Sequence, residues 1–94
     1  MFKKGQLVVV DADKFYHFYK LKLLYSNLDE DLWLRDWINN LNKVTNGTRI
    51  LRTIIQEGDG VFVETLNGES SWYLNIKVLV PYMEKTFCCL KYHL

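Results

Sequence analysis

The feature that most constrains this chain is a change of hydrophobic period at Asn46-Gly47. Before it, Leu34, Trp37, Ile38, Leu41 and Val44 recur at intervals of three and four, which lines them along one face of a helix. After it, Ile, Leu, Val and Thr alternate with polar residues at a period of two, the spacing of half-buried strands. The switch of period divides the chain into a helical part and a strand part. Asn46-Gly47 is itself a stop signal, since a left-handed residue there turns the backbone out of the helix.

The remaining elements follow from local signals. Asn27, with Glu30 three residues on, has the form of a capping box, and Asp29 and Asp31 favour the positive end of a helix dipole; the helix is expected over Leu28 to Val44. Upstream, Gln6 to Val10 is β-branched and bounded by Gly5 and Asp11, so it reads as a strand. Between them, Phe15, Phe18, Tyr19, Lys22 and Leu23 sit near helical spacing, but the aromatic density of Ala12 to Tyr25 suits an extended excursion equally well. Downstream, Thr48 to Gln56 and Val61 to Leu66 read as strands joined by the turn Gly58-Asp59-Gly60. Asn67-Gly68 predicts a type I′ hairpin, which needs positive φ at both central residues. The next strand puts Trp72, Leu74, Ile76 and Val78 on one face and Tyr73, Asn75 and Lys77 on the other, until Pro81 removes a ladder donor. Thr86 to Tyr92 offers one more edge strand. The expected fold is mainly β within the α+β class, with four to five antiparallel strands and one α-helix inserted after the first strand.

Two segments carry a resemblance. Phe2-Lys3-Lys4-Gly5-Gln6-Leu7-Val8-Val9-Val10 is similar to the opening of SH3-like small barrels of the Tudor and KOW type, with an aromatic residue, basic residues, a glycine and then V-x-V. Trp72 to Pro81 is similar to their closing strand and the short turn that ends in Leu-x-Pro. The resemblance implies an SH3-like barrel spanning residues 1–94 as a single domain, with a helical insertion at about 11–46 in place of the usual loop. It carries no functional residues across that insertion, and the superfold hosts many unrelated functions. The short, charge-balanced, aromatic-rich chain also resembles bacteriophage accessory proteins in style.

Composition removes several function classes. Twelve Lys/Arg against eleven Asp/Glu leave a formal charge of +1, so whole-chain charge drives binding to neither nucleic acid nor membrane. The apolar run Leu7 to Val10 falls short of the about seven residues a secretion signal needs, and nothing approaches the ~20 of a membrane span. The expected location is therefore the cytoplasm, or the host cytoplasm if a phage encodes the chain. Cys88 and Cys89 are adjacent, which rules out a disulfide framework.

No constellation of catalytic residues emerges. Asp11 and Asp13 are paired carboxylates without the further oxygen ligands of a calcium loop. His17, His93, Cys88 and Cys89 lack the spaced pairs that converge on zinc. Ser70-Ser71 sits in no nucleophile elbow, and no glycine-rich phosphate loop occurs. The expectation is a non-enzyme with no cofactor and no metal.

Aromatic residues stand out instead: 15% of the chain, with three Trp and six Tyr, exceeds what a small barrel interior easily holds. Trp and Tyr are enriched at interface hot spots. The leading expectation is a small binding protein that occludes a surface of a larger protein, in the manner of a phage inhibitor of a host or anti-phage protein. Its contact face would be Tyr16, Tyr19, Tyr25, Trp33 and Trp37. A second expectation is a nucleic-acid-binding module in which Lys20, Lys22, Arg49 and Arg52 contact phosphates and aromatic faces stack on bases. A third is a homo-oligomer whose exposed aromatics pair with themselves.

Overall fold

The structure, a computed structural model, describes residues 1–23 and 30–83. Five strands and two helices run in the order β1 (Leu7–Val10), α1 (Ala12–Leu23), α2 (Glu30–Val44), β2 (Ile50–Glu57), β3 (Gly60–Glu64), β4 (Ser71–Asn75), a 3-10 turn (Ile76–Val78) and β5 (Leu79–Pro81). The strands form one sheet in the order β4-β3-β2-β1-β5, every neighbouring pair antiparallel. This is a small α+β domain with no helix among the described residues long and apolar enough to cross a membrane.

The expected single inserted helix is two. Asp11 begins α1 as its N-cap: its Oδ1 accepts the Lys14 N–H at 3.0 Å, and its carbonyl accepts the Phe15 N–H at 2.9 Å. Helical spacing then wins over aromatic β-propensity, because one face of α1 buries Phe15 completely. The second helix carries the predicted stripe, with Leu34, Ile38 and Leu41 all buried. Its expected start at Leu28 and cap at Asn27 lie outside the described residues. Its end is a Schellman motif: the Gly47 N–H donates to the Asn42 carbonyl at 2.7 Å, and Asn46 takes φ 55° in the left-handed region.

The sheet is not closed. Among the described residues β4 and β5 are its two free edges, so the expected barrel is an open sheet. The two helices supply the reason. Phe15, Leu34, Ile38 and Leu41 share one core with Val8, Val10, Leu51, Val61, Val63, Leu74, Val78 and Leu79. Helical side chains cover the inner face that strands would otherwise have to wrap around.

Three further expectations are corrected by hydrogen bonding. The Asn67-Gly68 turn is not type I′, because only Gly68 has positive φ (75°). Asn67 Oδ1 instead accepts both the Thr65 hydroxyl at 2.7 Å and the Glu69 N–H at 3.0 Å, which closes a longer loop between Thr65 and Ser70. The strand predicted from Trp72 to Val80 breaks after Asn75, whose side chain accepts the Lys77 N–H at 2.9 Å and starts the 3-10 turn. After that turn the chain pairs with β1, and Pro81 lies opposite Val8 instead of ending the ladder before it. The expected edge strand Thr86 to Tyr92 lies outside the described residues.

Candidate functional site

One end of the molecule collects the aromatic residues. On α1, Phe15 stacks on Trp37 of α2 with ring centroids 4.5 Å apart and planes within 16°. Tyr19 leans on the same Phe15 ring at 4.7 Å, and its hydroxyl accepts the Asn75 backbone N–H at 3.2 Å, which ties α1 to the end of β4. Trp37 then meets Trp72 of β4 edge-on at 5.9 Å. A pocket of about 140 Å³ opens between α2 and β4, lined by Phe15, Tyr19, Trp33, Trp37, Trp72, Tyr73 and Leu74. No charged side chain lines it. Trp33, one helical turn before Trp37, stands at its lip with 43% of its surface exposed.

The opposite face of the sheet adds a second apolar feature. Ile55, Phe62 and Tyr73 pair in a row across β2, β3 and β4, and all three are exposed. The row exists because the β2–β3 register shifts between Thr53 and Ile55, so Ile54 is the extra residue of a bulge. The Tyr73 ring packs on Phe62 at 4.5 Å and lies over the backbone of Gly60, where any side chain would collide with it.

These placements sort the residues expected to make contacts. Tyr19, Trp33 and Trp37 come together at the pocket. Tyr16 is half-buried and packs edge-on against Phe15 at 6.2 Å, away from the pocket lining. Tyr25 lies outside the described residues. Trp72 and Tyr73 complete the pocket and were not expected there. Their separation of thirty-five residues or more from Trp37 leaves no local signal, and only the alternation of β4 pointed to their faces.

The basic residues are scattered. Arg49 donates through Nε to the Val10 carbonyl at 3.0 Å and through an Nη to Asn42 Oδ1 at 3.3 Å. Arg52 pairs with Glu64 at 3.2 Å and donates to the Leu66 carbonyl at 3.0 Å. Both guanidinium groups are therefore engaged within the chain. Lys20 is exposed on α1, and Lys22 falls in the last turn of that helix. A different basic grouping appears beside α1, where Lys14, His17 and Lys77 border a cleft with Asp13 and Phe18, the Lys77 ammonium 6.0 Å from the Phe18 ring centre. Among the described residues no three His, Cys, Asp or Glu side chains gather as a metal site would require.

Comparisons with protein-family models, with curated proteins and with solved structures found no match to this chain.

Proposed function

We propose that this is a non-enzymatic binding protein that covers a surface of a larger protein with the pocket face between α2 and β4. The observation that carries the proposal is Trp33: a tryptophan 43% exposed at the lip of an uncharged aromatic pocket. Exposed Trp is costly to leave in water, and Trp anchors filling or flanking pockets are the commonest source of interface binding energy. The pocket's lining favours an apolar or aromatic side chain of the partner. The strand order, with a 3-10 turn before the last strand, supports reading the sheet as an opened SH3-like barrel. That reading concerns architecture alone.

Trp33→Ala is the test. Tagged wild type and variant are used to capture partners from bacterial lysate treated with nuclease. We expect one stoichiometric protein with wild type, none with the variant, and melting temperatures that nearly agree. Trp37→Ala, which removes the ring stacked on Phe15, should instead cost about 3 kcal/mol of stability. Equal destabilisation by both variants would place Trp33 in the core and remove the basis for the contact face.

A further inference from the structure

The two free edges of the sheet are built differently. Among the described residues, β5 has three residues and ends in Pro81, two of the devices that blunt an edge against pairing. The other edge, β4, reads Ser-Trp-Tyr-Leu-Asn, with neither a charge nor a proline. Its hydrogen bonds alternate as antiparallel pairing requires. The Thr65 N–H donates to the Ser70 carbonyl, and the Ile76 N–H donates to the Asp59 carbonyl, so Trp72 and Leu74 are the residues between them that bond to β3. Ser71, Tyr73 and Asn75 therefore aim their amide groups away from the sheet. The Asn75 N–H is already taken by the Tyr19 hydroxyl. What stays open is a run with Ser71 at one end and Tyr73 at the other, and both residues are exposed.

We infer that β4 pairs with β4 of a second copy of this chain, antiparallel and centred on Trp72. Ser71 of one copy lies opposite Tyr73 of the other, and the two-fold axis repeats the pair. Each pair exchanges two N–H···O=C bonds, which satisfies every amide left open on the edge. The register is fixed from both sides, because sliding by two residues would bring in either Asn75, whose N–H has its partner in α1, or Glu69, whose N–H is taken by Asn67 Oδ1. Trp72 then faces Trp72 in the close, non-bonded position of the ladder, where aromatic pairs are favourable. On the other face the exposed row Ile55, Phe62, Tyr73 meets Ser71 of the second copy and, behind it, that copy's Glu64 and Arg52, so the two apolar rows lie offset by two residues.

A second copy fits this edge better than an unstructured segment does. An opening of so few residues offers few hydrogen bonds, and a disordered segment would have to be ordered residue by residue to make them. A folded copy presents β4 already extended, with its own aromatic cluster behind it. The pairing shares Trp72 and Tyr73 with the proposed partner face but does not use Trp33, so the edge variants test it separately from Trp33→Ala.

Sedimentation velocity of the full chain from low to high micromolar concentration tests it, alongside Ser71→Pro. That substitution removes an amide that points away from β3, a place where an edge strand tolerates proline. We expect wild type to sediment as a dimer at high concentration and Ser71→Pro to remain monomeric, with circular dichroism unchanged. Should Ser71→Pro fail to fold, Ser71→Lys blocks the same edge by charge and is expected to be monomeric too. A wild type monomeric throughout the range overturns the inference. So does a dimer that persists in a folded edge variant, because the contact would then lie elsewhere.

Discussion

Thr53 is buried to 1% of its surface in β2, and its hydroxyl finds no hydrogen-bond partner among the described residues. Its backbone is fully used, accepting from Gly5 and donating to Gln6 at 2.8 Å each, so the residue is held by its main chain while its Oγ1 is left without a partner. A buried hydroxyl without a partner loses its hydration for nothing in return. Thr53→Val keeps the branched shape and removes that group. We expect a gain of about 1 kcal/mol, read as a rise in melting temperature of about 4–8 °C for a domain of this size; a fall would mean that the hydroxyl is satisfied in solution. Arg49 shows the opposite balance. It sits at φ 55°, a left-handed conformation that costs a bulky residue about 1–2 kcal/mol. Four bonds offset that strain: its N–H to Thr45 Oγ1, its carbonyl from the Val10 N–H, and the two guanidinium contacts to Val10 and Asn42. A basic residue that looks in the sequence like a phosphate contact serves to join the end of α2 to the end of β1.

At the scale of elements, α1 depends on a single strong start. The Asp11 carboxylate satisfies the Lys14 amide, and its own N–H donates to the Val78 carbonyl, so one residue joins β1, α1 and the 3-10 turn. Asp11→Ala should lower stability by about 1 kcal/mol in urea denaturation. Asp13→Ala, which removes an exposed side chain in the first turn, should change it by no more than about 0.5 kcal/mol. A larger effect at Asp13 than at Asp11 would reverse the assignment of the cap. The sequence shows the pair only as two carboxylates without the further ligands of a cation site, and the hydrogen bonding separates the capping Asp11 from the exposed Asp13. Where an element is dictated by local periodicity it could be read in advance: the Leu34-Ile38-Leu41 stripe, the Asn46-Gly47 stop and the buried alternation of Val61 and Val63 are all of this kind. Three features resisted because a competing bond decides each one. Asn67 uses its side chain to hold a longer loop, Asn75 uses its own to end β4, and the bulge at Ile54 turns Ile55 outward, which no alternation in the sequence announces.

Across the whole molecule, helices occupy one face of the sheet, while the other face carries an exposed apolar row and the Arg52–Glu64 pair. Half of the pocket was legible, since Trp33 and Trp37 stand out at helical spacing. The other half was not, because Trp72 and Tyr73 reach it through sheet pairing that no local pattern encodes. The charge distribution then bears on nucleic acid as a partner. Two of the four cations expected at phosphates, Arg49 and Arg52, are already bonded to acceptors of the chain, and the formal charge is only +1. The remaining basic grouping, Lys14 and Lys77 with His17 beside Phe18, can meet about two phosphates. Counterion release from a single strand scales as about 0.7 per phosphate neutralised, so affinity for an oligothymidine should change by less than about tenfold between about 50 and 200 mM salt. We expect fluorescence anisotropy with a labelled oligothymidine to show weak binding with that shallow slope, and Arg52→Ala to leave it unchanged. Tight binding with a steep salt dependence, lost on replacing Arg52, would mean that the Glu64 pair opens to release the guanidinium. The basic residues, and not the aromatic pocket, would then be the working surface of the protein.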